Sequence, residues 1–402
     1  AAAAGTPVTE LAFPDPLPEH ALERAWSRLR GMEAVDADGL LTAHGRRLFP
    51  LPLDPLFAHL ITAMPDPATT AAMTDLAAAL TADRPLLGPV RGEQAHEALK
   101  EWLPEADDAL LQIRLVRLDP PKDVPVNRAG VKEARRIADQ VRQALGLPER
   151  RADEPIPREE LLAAAVGAAP ELAYVRRAKR RQALGNGFSE IEVGRESFFA
   201  EEAEAAVVFD QHSIPGKGTT KTVNLGTCMA PVDFATLAEA GLGEAAYAEP
   251  RWSEGAVHIT ERRTYAGRTI AAEETEPTGA PLREALADLI LANRLFKGTG
   301  ETIQEEAEAW NLYVALDYGE GEPVADVRAW LVERLADLGV EENADLELVE
   351  PEDLAFAGIP PWERDRFDRH YPRRLNLEEL QAVVHYEPRR KRITVEKTGG
   401  NR

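Results

Sequence analysis

The string best suited to binding a nucleotide phosphate is PGKGTTKT, residues 215 to 222, which contains Lys217. A phosphate-binding loop of the G-x-x-x-x-G-K-[ST] type places backbone N–H groups around the phosphates and a hydroxyl on Mg²⁺. Glycine follows Lys217 where that motif needs Ser or Thr, and no helical pattern comes next. The string is therefore predicted to be an ordinary loop. DEAH, H-E-x-x-H and G-x-S-x-G strings are also absent, so the sequence predicts no active site and no bound cofactor for this chain.

Histidines and clustered carboxylates are the other candidates for metal ligands or acid–base groups. Four histidines lack ligand spacing and are predicted to be structural: His44, His59, His96 and His258. The carboxylates of FFAEEAEAA are predicted to lie in a solvated segment; they are Glu201, Glu202 and Glu204.

One further string, PPWERDRFDRHYPRRL at residues 360 to 375, is rich in reactive residue types. An unrecognised enzyme site around Trp362, His370 and Tyr371 is one hypothesis. An amphipathic helix capped by Pro372 explains the same residues equally well.

Basic residues are clustered in a chain whose net charge is −22. Two strings stand out, YVRRAKRR at 174 to 181 and EPRRKRITVEKTGGNR at 387 to 402. A solvated strand edge and a charged tail are the simplest interpretation of these strings. The net charge argues against one broad basic face, but a local basic groove for nucleic acid remains compatible with it.

The first basic string, taken as a single strand, would alternate its side chains between two sides. Arg176 and Arg180 would lie on one side, and Arg177, Lys179 and Arg181 on the other. At least one side should then face solvent or a ligand. Lys217 and Lys221, on their glycine-flanked loop, are predicted to close over a bound nucleic acid strand. Internal ion pairs with the protein's own Asp and Glu residues are the alternative.

Composition describes a globular chain of 402 residues, 44% apolar and 29% charged, for which two to four domains are expected. No run of about 18 apolar residues predicts a membrane span, and the first residues lack the features of a signal peptide. Cys228 is the single cysteine, which excludes intrachain disulfides and fits a cytoplasmic location. The sequence begins with Ala1 rather than Met, which is compatible with a processed, split or excised chain.

Residues 1–62 show the outline of a winged helix. Leu22, Ala25, Trp26 and Leu29 follow helical spacing, and Gly31 is a C-terminal stop. Two short strands are predicted around the Asp38-Gly39 turn, followed by a helix with Thr42 as its N-cap. The prolines of LPLDP, residues 51 to 55, then prevent the helix from continuing and give a stiff exit.

The remaining pattern predicts a multidomain α+β protein. Five helices between Asp54 and Leu147, and one more after them, form a helical bundle, residues 63–165. Strands follow in LAYVRRAK, SEIEV, AAVVFDQ and TKTVNLG, which favours a small β-barrel or sandwich of the OB type at 166–275. A mixed α/β extension occupies 276–402, with helices at 281–296, 301–316 and 325–338 and two final strands joined by a basic turn.

The string LERAWSRLRGMEAVDADGLLTAHGRRLFPLPLDPLFAHLITA closely resembles the start of the C-terminal half of DEAH-box RNA helicases, particularly the bacterial HrpB type. VNRAGVKEARRIADQVRQAL is similar to the ratchet helix of that family, in which an Asn, a small residue and A-x-x-I-x-x-Q recur. The matching residues are Asn127, Gly130, Ala134, Ile137 and Gln140. The family's arginine two places after the Asn is replaced by Ala129.

The next modules match the HrpB type more loosely. LLAAAVGAAPELAYVRRAKRRQALGNGF looks like the entry into its OB-fold, without the usual Asp-Arg pair. RWSEGAVHITERRTYAGRTIAAEETEP resembles a strand pair of the same family, and the last 60 or so residues match least.

The resemblance implies that this chain is the RNA-channel half of an ATP-dependent helicase, with winged-helix, ratchet and OB modules and a C-terminal extension. ATP and Mg²⁺ would bind to RecA-like domains that the sequence does not contain. Partners would be those domains and single-stranded RNA, with no membrane. Asn127 and the first turn of its helix would hold a backbone phosphate, and three cations would add charge: Arg128, Lys132 and Arg135.

A second hypothesis is a standalone adaptor, built from the same modules, that binds RNA or protein without an ATPase. The coding sequence upstream of Ala1 distinguishes the two hypotheses, since a helicase requires a P-loop and a DEAH-like box there.

Overall fold

The structure is a computed structural model. It describes residue 8 and residues 11–15, 17–90, 93–104, 107–215, 222–377 and 380–399. The chain divides into two compact units, and each is described by itself. Unit 1 contains Ala1–Ala245 and Arg263–Ala271, and unit 2 contains Ala246–Arg262 and Ala272–Arg402. Helices and strands both contribute to the described residues, which confirms the mixed α+β class.

The start of unit 1 is a helix, a tight turn and a second helix. Helix α1 spans Glu19–Gly31 and α2 spans Ala43–Leu48. The predicted stop at Gly31 and cap at Thr42 are confirmed, since the Thr42 hydroxyl accepts a hydrogen bond from the Gly45 N–H at 2.9 Å. The two predicted strands reduce to one bridge between Val35 and Leu41.

Six helices follow, as the periodicity predicts for this segment. They are α3 (Pro55–Ala63), α4 (Pro67–Thr81), α5 (Glu93–Trp102), α6 (Asp108–Arg117), α7 (Arg128–Leu145) and α8 (Arg158–Ala168). Helix α4 lies at the centre of the bundle, and Ala72, Met73, Leu76 and Ala77 are fully buried in it. Its small side chains allow α6 and α7 to pack closely against it.

A buried ionic cluster joins three of these helices. The Asp75 carboxylate on α4 accepts hydrogen bonds from Arg117 on α6 at 2.6 Å and from Arg142 on α7 at 3.0 Å. Arg142 also donates to Glu154 at 2.7 Å, and Arg117 donates to the Glu154 carbonyl at 2.9 Å. Burial raises the pKa of Asp75, and the two guanidiniums oppose that effect. The cluster therefore fixes α4, α6, α7 and the segment before α8 together.

Five strands form a closed barrel in unit 1. They are β1 (Ala173–Arg177), β2 (Arg180–Gly185), β3 (Glu190–Val193), β4 (Ala205–Pro215) and β5 (Thr222–Pro231). Their order is β1-β2-β3-β5-β4, and all neighbours are antiparallel except β3 and β5. The barrel interior is packed by apolar side chains that include Tyr174, Leu184, Ile191, Val208 and Met229. A short helix, α9 (Phe234–Glu239), follows.

The carboxylate of Asp108, on the first residue of α6, connects the bundle to the barrel. It accepts hydrogen bonds from the Ser197 hydroxyl at 2.6 Å and from the N–H groups of Phe198 at 2.6 Å and Met229 at 3.0 Å. A buried carboxylate with three donors is well satisfied, so this contact holds α6 at one position against β5.

The hairpin predicted to turn at Gly267 is confirmed, as part of a three-stranded sheet. The strands are β6 (Glu244–Ser253), β7 (Ala256–Tyr265) and β8 (Arg268–Thr275), in the order β6-β7-β8. Ala266 and Gly267 adopt φ values of 46° and 79°, as a tight two-residue turn requires.

Unit 2 contains four further helices and a second sheet. The helices are α10 (Gly279–Leu291), α11 (Thr299–Ala315), α12 (Val327–Asp337) and α13 (Pro361–His370). Strands β9 (Arg374–Leu377), β10 (Leu380–Glu387) and β11 (Arg392–Gly399) form a sheet in the order β11-β10-β9. The three helices predicted between 281 and 338 are confirmed. Across the described residues, no helix has both the length and the apolar character needed to cross a membrane.

Replacing Asp75 with Asn should destabilise the fold by about 3–5 kcal/mol, because two buried guanidiniums would lose their counter-charge. Urea unfolding followed by tryptophan fluorescence measures this change. Asp139→Asn is the matched control, since Asp139 is half-exposed and pairs only with Arg150 at 3.5 Å; it should change stability by under about 0.5 kcal/mol. Equal effects of the two substitutions would contradict the role given to the cluster.

Candidate nucleic-acid interface

A cleft of about 770 Å³ lies where the segment after α6 meets the first turns of α7. Four cationic side chains line it, Lys122, Arg128, Lys132 and Arg135, together with one carboxylate, Asp119. The three cations on α7 are spaced i, i+4 and i+7, which places them on one face of the helix. The structure thus brings together the predicted residues of α7 and adds Lys122, which the sequence analysis missed. The PPK string before α7 was the available signal for it.

The start of α7 is held in place by backbone contacts. The Asn127 N–H donates to the Leu86 carbonyl at 2.8 Å, and the Gly88 N–H donates to the Pro125 carbonyl at 2.7 Å. A Cβ atom on Gly130 would lie 2.8 Å from the carbonyl oxygen of Arg84. Only glycine therefore permits α7 to approach this segment so closely.

Asn127 is the N-cap of α7, because its side-chain oxygen accepts a hydrogen bond from the Gly130 N–H at 3.2 Å. The side-chain oxygen of Asn127 cannot bind an anion, but its NH₂ group can donate a hydrogen bond to one. The N–H groups of Arg128 and Ala129 have no partner within the helix, since they belong to its first turn. A phosphate at this end of α7 would meet those donors and the positive end of the helix dipole.

The cations of the cleft differ in the hydrogen bonds and ion pairs that they form within the protein. Arg135 donates to the carbonyls of Val116 at 2.9 Å and Leu118 at 2.8 Å, and it pairs with Asp119 at 2.9 Å. It therefore anchors α7 to the end of α6. Lys122, Arg128 and Lys132 are exposed and form no ion pair with a carboxylate of the described residues. These three are the cations available to an anionic ligand.

The basic string at 174 to 181 is two strands rather than the predicted single strand. The chain reverses at Ala178 and Lys179, and Arg177 pairs with Arg180 across β1 and β2. The predicted alternation of these side chains is therefore wrong. Arg176 is buried and donates to the carbonyls of Ala203 and Arg181, and burial lowers the pKa of its guanidinium.

The other arginines of this string have carboxylate partners. Arg177 pairs with Glu190 at 2.9 Å, and Arg181 pairs with Glu204 at 2.5 Å. Glu204 also pairs with Arg268 at 2.8 Å, although its side chain stays 32% exposed. Glu201 and Glu202 are exposed, as the prediction of a solvated segment expects. Arg180 pairs with Glu192 at 2.5 Å. Internal ion pairs, the alternative stated for this cluster, account for all three arginines.

Of the three predicted lysine contacts on the barrel, the structure describes Lys179. Lys179 lies at the exposed turn between β1 and β2 and pairs with no carboxylate of the described residues. Lys217 and Lys221 lie outside the described residues, between the end of β4 and the start of β5.

Two of the histidines that looked scattered in sequence are in contact. The Nε2 atom of His44 lies 2.9 Å from Nδ1 of His59, and Nε2 of His59 lies 3.1 Å from the Ala168 carbonyl oxygen. A carbonyl can only accept, so His59 donates to Ala168 and, when neutral, accepts from His44. Burial, with a further contribution from His59, lowers the pKa of His44. The pair thus joins α2, α3 and the end of α8, a structural role.

The other two histidines are His258 and His96. His258 is half-buried on β7, and the side chain of His96 lies outside what the structure describes. Among the described residues, no three His, Cys, Asp or Glu side chains are arranged to share a metal ion.

The residues of the alternative enzyme hypothesis lie on and beside α13. Trp362 and His370 are exposed, and Tyr371 packs against the Phe367 ring at 5.1 Å. The Nδ1–H group of His370 donates to the Arg366 carbonyl oxygen, 2.8 Å away, and His370 forms no ion pair with a carboxylate of the described residues.

No family model matches the sequence, and no curated protein does. Two solved structures from Escherichia coli are similar to the chain. The crystal structure of the DExH-box NTPase HrpB is 14% identical, with a TM-score of 0.45 over 94% of this chain and 43% of that one. The crystal structure of the DEAH/RHA helicase HrpB is 15% identical, with a TM-score of 0.37 over 94% of this chain and 44% of that one. The chain thus spans under half the length of either structure.

Substituting Gly130 with Ala should displace the start of α7 and destabilise the protein, because the new methyl would overlap the carbonyl oxygens of Arg84 and Pro85. Gly167→Ala is the control, since no atom lies within 4 Å of a Cβ there and alanine is favoured over glycine in a helix by up to about 1 kcal/mol. Thermal unfolding should shift down for the first variant and up or not at all for the second. Similar shifts in both would show that the close approach at Gly130 is unimportant.

Proposed function

We propose that this chain is the RNA-guiding part of an ATP-dependent RNA helicase of the DEAH-box, HrpB type. Its role is to hold single-stranded RNA and couple it to RecA-like ATPase domains that the described residues do not include. The observation that carries the proposal is the cationic cleft at the start of α7, at the position where the sequence resembles the ratchet helix.

The order of elements supports this function. The helix, turn and capped helix of residues 19–48 correspond to the proposed winged helix, and α3 to α8 to the proposed ratchet bundle. Barrel strands in the order β1-β2-β3-β5-β4 suit the proposed OB-fold. OB-folds bind oligonucleotides with the loops that join strands 1 to 2 and 4 to 5. Lys179 lies in the first of these loops. In the sequence, Lys217 and Lys221 lie between strands 4 and 5.

The proposed RNA contacts are therefore of two kinds. In the cleft, Lys122, Arg128 and Lys132 are available for phosphates, with Asn127 and Arg135 shaping the start of α7. On the barrel, Lys179, Lys217 and Lys221 are the proposed contacts. Arg177 and Arg181 belong to the same proposed surface, where a phosphate would have to compete with Glu190 and Glu204.

The chain should bind a fluorescein-labelled 20-nucleotide oligouridine, as measured by fluorescence anisotropy over a range of KCl concentrations. Changing Lys122, Arg128 and Lys132 together to Gln should weaken binding and lower the slope of log K against log salt by about 2, since each phosphate contact on a single strand contributes about 0.7. Other oligonucleotide sequences should be affected alike, because phosphate contacts carry no base information.

The matched control removes three charges elsewhere, with Arg136→Gln, Arg151→Gln and Lys297→Gln. These side chains are exposed and lie outside the cleft, so slope and affinity should change little. If the wild-type chain does not bind the oligonucleotide, or if both triple variants lose affinity equally, the cleft is not an RNA site. A protein-binding adaptor would then be the better description.

Calorimetric titration of the chain with Mg²⁺–ATP should give no binding heat, because no phosphate-binding loop precedes a helix anywhere in the sequence. Stoichiometric ATP binding would contradict the proposal that ATP binds to the RecA-like domains, and it would favour an enzyme site within this chain.

A further inference from the structure

Trp362 is the most exposed tryptophan of the chain. It is 80% exposed, whereas Trp252, the next most exposed, is 38% exposed and the other four are half-buried. Tryptophan combines a large flat apolar surface with few rotatable bonds, and it is enriched at binding surfaces for that reason. The exposed face of α13 that carries Trp362 is therefore a candidate binding surface.

The opposite side of α13 is firmly packed. Phe367 is 3% exposed, and its ring lies 5.2 Å from that of Tyr313 and 5.1 Å from that of Tyr371. One turn earlier, Glu363 accepts a hydrogen bond from the Tyr313 hydroxyl. The helix therefore cannot rotate to bury Trp362 without breaking these contacts.

Two arginines continue the exposed side of α13. Trp362, Arg366 and Arg369 are spaced i, i+4 and i+7, so they form one stripe about 10 Å long. Both arginines are exposed, and neither forms an ion pair with a carboxylate of the described residues. Three neighbouring arginines are paired instead, Arg364 with Glu306, Arg373 with Asp368 and Arg374 with Glu305.

We propose that this stripe, the Trp362 face (Trp362, Arg366 and Arg369), binds single-stranded nucleic acid. A base stacks on the indole, and the two guanidiniums contact the adjoining phosphates. Stacking on an aromatic side chain together with nearby cations is the general mode of sequence-tolerant single-strand binding. The polymer class rests on the proposed function, but the site lies on unit 2 and uses none of the residues of the α7 cleft.

The surroundings of the indole favour a nucleic acid over a protein segment. A protein anchor would need further apolar surface beside the tryptophan, as the centres of protein interfaces have. The exposed neighbours one turn along α13 are instead Asp365 and Arg366. A single flat ring followed by two guanidiniums that have no carboxylate partner among the described residues is what one base and its phosphates require.

The first test replaces Trp362 with Ala in the full chain, using the labelled 20-nucleotide oligouridine. Affinity should fall about tenfold, a typical effect of losing one stacked base. Unlabelled oligouridine should quench the tryptophan emission of the wild-type chain and of Trp252→Ala, but not of Trp362→Ala. A blunt RNA duplex, whose bases are already stacked on one another, should bind the wild-type chain and Trp362→Ala with equal affinity. Because the side chain is exposed, the variant should keep its circular dichroism spectrum.

The second test addresses the charges of the same stripe. Arg366→Gln with Arg369→Gln should lower the salt slope by about 1.4, for two phosphate contacts. Asp365→Asn should raise affinity, because it removes a negative charge at the edge of the stripe. Arg392→Gln with Lys297→Gln removes two exposed charges of unit 2 that lie outside the stripe and should leave the slope unchanged.

The outcomes separate this inference from the proposed function. Loss of affinity in the cleft variant, with no effect of Trp362→Ala and no difference in quenching, would overturn the Trp362 face and leave the proposed function intact. The reverse pattern would support the Trp362 face and contradict the cleft. No effect of either set would overturn both, and Trp362 would then belong to a surface for another class of partner.

Discussion

The paired charges of Asp75, Arg117 and Arg142 determine how the helices of unit 1 are arranged. A carboxylate in a protein interior is tolerated only when opposite charges and hydrogen-bond donors surround it. Asp75 lies on the central helix of the bundle, and its two partners lie on α6 and α7. Glu154 extends the pairing to the segment before α8. The arrangement of these helices brings the four charged groups into contact, which offsets part of the cost of burying them.

The position of the cleft follows from this arrangement. Arg142 fixes the second half of α7, and the Gly130 contact fixes its start. Arg135 ties the same helix to the end of α6. With the helix held at three points, the backbone that carries Arg128 and Lys132 is fixed, and the side chains of both are exposed. Cations that contact phosphates bind a nucleic acid backbone without reading its bases.

Local signals in the sequence predicted many elements. Thr42, Gly31 and Gly267 act within a few residues of themselves, so their roles as a cap, a stop and a turn could be read directly. The β1–β2 turn was missed because Ala178 and Lys179 are not typical turn residues. The pairs Asp75–Arg142 and Arg181–Glu204 depend on contacts between residues distant in sequence, which periodicity cannot reveal. For the same reason the ion pairs of Glu204 and the contact of His44 with His59 were missed. The family resemblance allowed the α7 cations to be predicted from the sequence. It could not predict that Arg135 hydrogen-bonds to the end of α6.

The central claim is that RNA passes along the start of α7. Photocrosslinking of the chain to an oligonucleotide containing 4-thiouridine, with mass-spectrometric mapping of the modified peptides, tests it most directly. Crosslinks are expected within residues 119–135, and competing unlabelled RNA and high salt should both suppress them. Crosslinks that avoid this segment while the chain still binds RNA would contradict the account.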